Sequence, residues 1–99
     1  MPLTPVLKKQ YRALGHNLKP ILTIAGNGLS EGVMEELERA LNDHELIKVK
    51  LVIADRELRK QVIAEMSRKA RAEIVQEIGK VALVYREAKK PNLRLSNVR

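Results

Sequence analysis

The residues best placed to do chemistry in this 99-residue chain run Ile24-Ala25-Gly26-Asn27-Gly28-Leu29-Ser30. An apolar run ends there, a glycine-rich bend follows, and a serine opens an amphipathic stretch. That order aims exposed backbone N–H groups at the positive end of a helix dipole, a geometry suited to a phosphate group. Ala25, Gly26, Asn27, Gly28 and Ser30 are therefore the first candidate binding residues. A glycine bend alone is also an ordinary way to turn from strand to helix. The second signal is cationic. Lys8, Lys9 and Arg12 form a compact basic cluster before the bend, Lys19 adjoins its strand, and Lys48 and Lys50 share one face of a later strand. Together the two signals point to a nucleic-acid phosphate backbone. Lys48 and Lys50 have two readings: they line the nucleic-acid surface, or they keep an uncovered sheet face soluble.

The charge is segregated as well as large. The formal net charge is +7. Residues 31–45 hold six acids (Glu31, Glu35, Glu36, Glu38, Asp43, Glu45) against one base, Arg39, which leaves 18 bases and six acids elsewhere. Such a field draws polyanions to one region and repels them from another. The chain has two tyrosines and neither Trp nor Phe, so base stacking cannot supply most of the affinity. Backbone and shape recognition of folded RNA remains.

Several classes are disfavoured. Without cysteine there is no disulfide, thiolate chemistry or cysteine-ligated zinc. His16 and His44 lack partners at metal-ligand spacing. No nucleophile–base pair or cofactor motif is visible, so neither an enzyme, a cofactor nor a metal is expected. No apolar run is long enough to cross a bilayer. Lys8, Lys9 and Arg12 stand where a signal peptide would be hydrophobic, and a cytoplasmic protein without a membrane partner is expected.

The elements that must position these residues follow from periodicity and caps. Thr4-Pro5 starts a helix whose buried stripe is Leu7, Tyr11 and Leu14, with Gly15 as a left-handed stop. Ile21–Ile24 reads as a strand. Ser30 caps a second helix with a core stripe of Val33, Met34, Leu37, Ala40 and Leu41, and Glu35–Arg39 is a spaced ion pair. Leu46–Ile53 alternates as the clearest strand. Asp55 caps a third helix with Leu58, Val62, Met66 and Ala70 inward, Ile63 at the margin, and Arg68 and Arg71 outward. Residues 73–78 and 81–86 are strands about a Gly79-Lys80 turn of type II′. The order α-β-α-β-α-β-β, with short links, gives a two-layer α/β sandwich with a mixed four-stranded sheet. One domain is expected over residues 1–87, followed by a basic, mobile tail over 88–99. A monomer is expected.

Three separated segments carry a family resemblance: Leu18-Lys19-Pro20, the bend Gly26-Asn27-Gly28-Leu29-Ser30-Glu31-Gly32-Val33, and His44-Glu45-Leu46-Ile47-Lys48-Val49-Lys50. In order and spacing they resemble the YhbY family, the bacterial stand-alone form of the CRM (chloroplast RNA splicing and ribosome maturation) domain, over about residues 3–86. The resemblance implies a fold similar to the C-terminal domain of translation initiation factor 3 with an added N-terminal helix. It also implies strand order 1-2-4-3 with the last strand antiparallel. It further implies binding of structured RNA, in bacteria in precursors of the large ribosomal subunit, through a GxxG loop likened to that of KH domains. Gly28 matches the second glycine of that loop. Ala25 stands at the first, and Gly26 is an extra glycine between them. If the first position needs positive φ, alanine there is strained, and either Gly26 takes over the permissive role or the loop is held differently. The rival reading is a protein-interaction module that docks a basic ribosomal protein through the acidic second helix.

Overall fold

The computed structural model describes residues 3–26 and 28–99. Seven elements follow in order: α1 (Pro5–Gly15), β1 (Pro20–Ala25), α2 (Glu31–His44), β2 (Leu46–Val52), α3 (Arg56–Ala70), β3 (Glu73–Ile78) and β4 (Val81–Tyr85). The sheet order is β1-β2-β4-β3. β1 and β2 are parallel, and β4 lies antiparallel to both β2 and β3. This is the α/β sandwich expected from the pattern.

Each helix starts where a side chain satisfies its first free amides. Thr4 Oγ1 accepts from Leu7 N–H, Ser30 Oγ from Val33 N–H, and Asp55 Oδ1 from Glu57 and Leu58 N–H. Such a cap contributes about 1 kcal/mol. At the hairpin Gly79 alone has positive φ, +57°, the backbone pattern of a type II′ turn.

The two faces of the sheet are buried differently. On one face α2 and α3 pack over Leu22, Ile24, Ile47, Val49, Leu51, Ala82 and Val84 to form the main core. On the other, Leu46, Val75, Leu83 and Tyr85 form a smaller cluster with Leu3, Tyr11 and Leu18. The Tyr11 and Tyr85 rings stand 4.8 Å apart, and burial pushes the Tyr85 phenol above its ordinary range. α1 is the one helix on the second face, where Val98 of the C-terminal segment also packs, among the described residues. It crosses from β3, where Leu3 N–H donates to Glu73, through Tyr85 on β4 towards β1. It covers only the half of that face near the start of β2.

Four local expectations are corrected. Gly15 is the last residue of α1 and has no positive φ. A Cβ there would stand 2.5 Å from Leu83 Cδ2, so this glycine admits close packing of helix on sheet rather than ending the helix by a left-handed turn. Leu14 and Leu58 are largely exposed, whereas Ile63 is in the core. Both exposed leucines belong to end turns of their helices. Glu35 makes no ion pair among the described residues; the acid of α2 that does is Glu38, 2.8 Å from Arg86.

The expected mobile tail is also placed differently. The chain after β4 returns along the start of β2 and is held there by Glu45. This residue is completely buried and sits at φ +63° between α2 and β2. Its carboxylate accepts from Ala88 N–H at 2.9 Å, Ser96 Oγ at 2.8 Å, and Arg99 Nε and Nη2 at 2.7 and 3.0 Å. Asn97 donates to the Leu46 and His44 carbonyls, and His44 Nδ1 donates to the Leu95 carbonyl. Buried Ala88 completes the strap. One buried acceptor with four donors ties the segment to the body of the domain.

Candidate nucleic-acid interface

The glycine bend lies at the end of β1. Ala25 is the last β1 residue, paired with Val52, and has no positive φ. The strain considered for alanine at this position does not arise, and Gly26 has no positive φ to supply either. Gly28 is the residue that needs to be glycine, with φ +81°. Its N–H donates to the Ala25 carbonyl at 3.0 Å and closes the turn. That amide is therefore spent inside the loop, contrary to the expectation that it faces a ligand. Ser30 is likewise occupied as the cap: its Oγ takes Val33 N–H and its carbonyl takes Met34 N–H.

The amides left open lie slightly further on. Leu29, Ser30, Glu31 and Gly32 N–H have no partner among the described residues. The space a Cβ would fill at Gly26, Gly28 and Gly32 is empty within 4 Å, so the bend is approachable. The Glu31 carboxylate at the first helical position favours the helix dipole and opposes an incoming anion. Asn27 lies outside the described residues.

The basic residues do not gather as one shelf beside the bend. Lys19 precedes β1 at the end opposite Gly26, so the strand separates them by roughly 23 Å. α1 is at that same end, because Gly15 packs on Leu83, whose sheet partner Lys48 pairs with Pro20. The three α1 bases keep to one side of the helix: Lys8, Arg12 and Lys9 fall within about 100° of arc, on the flank that ends at His16. Lys8 is half-buried against the body.

That flank faces the uncovered half of the sheet. His16, Pro20, Lys48, Gln76, Ile78, Val81 and Leu83 line a groove of about 310 Å³ there. Lys48 stands at the α1 edge of the groove. Lys50, two residues along β2 and about 7 Å further, lies between Thr23 and Val81. Next comes Val52, beside Ala25 at the foot of the bend. The sheet therefore joins what the sequence left separate: Lys48, Lys50 and the glycine bend lie along one open face, with His16 and the end of α1 at its far edge. Ile21, Val52 and Ile78 are roughly half or more exposed beside these lysines.

Three features of this region escape sequence reading. The groove residues Gln76, Ile78 and Val81 come from the hairpin and carry no signal of their own. His16 was set aside for want of a metal partner. Glu45 was counted with the acids of α2, although it is internal. Its carboxyl is held down at about pKa 2 chiefly by the Arg99 hydrogen bonds, with Ala88 and Ser96 assisting against the desolvation of burial. With Glu38 paired to Arg86, two of the six clustered acids are committed inside the molecule. The acidic docking face is correspondingly weaker.

This arrangement can hold a chain of phosphates: open amides at one end, cations at two-residue spacing along a strand, and a basic helix flank at the other. No helix is long and apolar enough to cross a membrane, and no three His, Asp or Glu side chains converge as a metal site, among the described residues.

Comparison with known proteins agrees with this geometry. A Pseudomonas aeruginosa protein named "probable RNA-binding protein" is 57% identical over 98 residues, covering 99% of this chain and 94% of its own. A Haemophilus influenzae protein named as RNA-binding is 44% identical over 89 residues, covering 89% of this chain and 90% of its own. The solution structure of a hypothetical Staphylococcus aureus protein, put forward as an RNA binder, superposes with a TM-score of 0.78 at 34% identity. It covers 90% of this chain and 93% of that one. The model of the CRS1/YhbY (CRM) domain matches residues 3–86, and the chain belongs to that family.

Proposed function

We propose that this protein binds structured RNA by its phosphate backbone, along the open sheet face between the glycine bend and α1. Its RNA is ribosomal, in precursors of the large subunit, and it acts as a cytoplasmic monomer without catalysis. The observation that carries the reading is the alignment of Lys48 and Lys50 with the bend on one side of the sheet, with His16 at the end of basic α1 closing the far edge. The names of the relatives support RNA as the ligand. Phosphate contacts give position and affinity; RNA shape gives selectivity, since the face offers few groups that read base edges.

Counterion release tests the mechanism. Four phosphates neutralised on this face contribute about −3 to −4 to the slope of log affinity against log salt. Binding of a fluorescent fragment of ribosomal RNA, followed by anisotropy over a salt series, measures it. The Lys50→Ala variant is expected to lower the slope by about 1. Lys60→Ala, exposed on α3 across the sheet, is expected to leave it unchanged. Equal effects of the two substitutions, or none from either, would defeat the assignment of the face.

A further inference from the structure

We infer that the molecule carries a second site for RNA phosphates, away from the glycine bend and on the opposite side of the sheet, built by the C-terminal strap. The inference rests on the RNA-binding reading and extends it to a second stretch of backbone. A cleft of about 730 Å³ opens where the ends of α2 and α3 meet the chain leaving β4. It is lined by Lys69, Arg71, Arg86, Lys89 and Lys90, with Glu38 and Glu87 as its acids.

The internal partners divide these charges. Arg86 is structural: its guanidinium binds Glu38, the Ala70 carbonyl and Asn42. Lys69 pairs with Glu65 at 2.9 Å. Arg71, Lys89 and Lys90 have no ion-pair partner among the described residues. Arg68 lies beside them in an adjoining hollow that shares Arg71, Arg86 and Glu87.

The placement of these cations is enforced. Arg71 ends α3 in the left-handed conformation, which fixes the direction in which the chain leaves the helix. Lys89 and Lys90 follow Ala88, whose N–H is bound to buried Glu45. The clasp at Ala88, Ser96 and Arg99 thus brings two lysines against a third unpaired cation. Crowding like charges disfavours the fold, and a polyanion in the cleft relieves the repulsion. An open cleft without an aromatic side chain suits phosphodiester backbone rather than bases. The glycine bend lies at the other end of the strands, so one RNA contact does not reach both sites. The protein would hold two separated stretches of backbone at once.

The salt series separates this site from the sheet face. Four proteins are compared on the same labelled ribosomal RNA fragment: the wild type, Arg71→Ala/Lys89→Ala/Lys90→Ala, Lys48→Ala/Lys50→Ala, and the combination. None of the cleft substitutions touches Glu45 or the core, and thermal unfolding checks that the fold persists. The triple variant is expected to lose about 2 to 3 from the slope while the share of the sheet face remains. The double variant is expected to lose about 2 independently, and the combination to lose both shares. A triple variant with the wild-type slope overturns the cleft, whatever the double variant does, and makes an acidic polypeptide its better occupant. A normal slope for the double variant with a loss for the triple overturns the sheet-face reading and leaves the cleft standing.

Discussion

At the scale of single residues, two glycines a helical turn apart are unlike each other. Gly28 sits at φ +81°, and its amide closes the bend onto Ala25. A β-branched side chain there meets no neighbour but is forced into a conformation it disfavours by about 1–2 kcal/mol. Gly32 lies in the first turn of α2 at ordinary helical φ, with open space where a Cβ would go. Gly28→Val is therefore expected to lower both stability and RNA affinity. Gly32→Ala is expected to raise stability by about 0.5–1 kcal/mol through the unfolded chain. Thermal unfolding and anisotropy on both variants measure the contrast, and a Gly28 variant with unaltered behaviour would contradict the role given to the bend. Ala25 shows why a match to a motif must be read position by position: it belongs to the strand, and nothing there requires glycine.

Among the elements, α1 owes its place to a residue without a side chain. Leu7 and Tyr11 supply its apolar stripe, but Gly15 lets the helix end settle on Leu83. Alanine is the better helix former by about 1 kcal/mol. Its methyl would nevertheless lie 2.5–2.6 Å from the Leu83 methyls, in a buried cluster with little room to yield. Gly15→Ala is expected to destabilise by about 1–2 kcal/mol net, because overpacking outweighs propensity. Denaturant unfolding measures this, and a stabilised variant would mean that α1 can lift without loss. The same packing sets His16, at the end of α1, on the Lys48 groove, so displacement of α1 should also weaken RNA binding.

For the whole molecule, Glu45 is the point where the strap, α2 and β2 meet. Its folded pKa of about 2 lies below the unfolded value of 4.5, so its contribution is complete above about pH 4.5 and is lost as pH falls towards 2. A shift of that size corresponds to about 3 kcal/mol. Glu45→Gln removes the charge and leaves Arg99 unpaired. The stability difference between wild type and variant is expected to be largest at neutral pH and to shrink below about pH 4. Equilibrium unfolding over a pH series gives the difference, and a gap that does not vary with pH would deny the clasp its ionic character. The strap also divides the molecular charge. It neutralises one member of the acidic run while setting Lys89 and Lys90 at the far end from the glycine bend.

Much of this was legible before any fold was seen. Caps at Thr4, Ser30 and Asp55, the alternation of Leu46–Ile53 and the Gly79-Lys80 turn are local signals, written by hydrogen-bond needs and side-chain period within a few residues. They determined the elements and, with short connections, the sheet. What local signals cannot carry is which cations share a surface, because charge acts across strands. Lys19 seemed near the bend by sequence and is a strand length away; Lys48 and Lys50 are distant in sequence and lead along β2 to its foot at Val52. Gly15, Glu45 and the strap were settled only by tertiary packing. A close helix–sheet approach and a buried carboxylate with four donors depend on partners between 43 and 68 residues away along the chain.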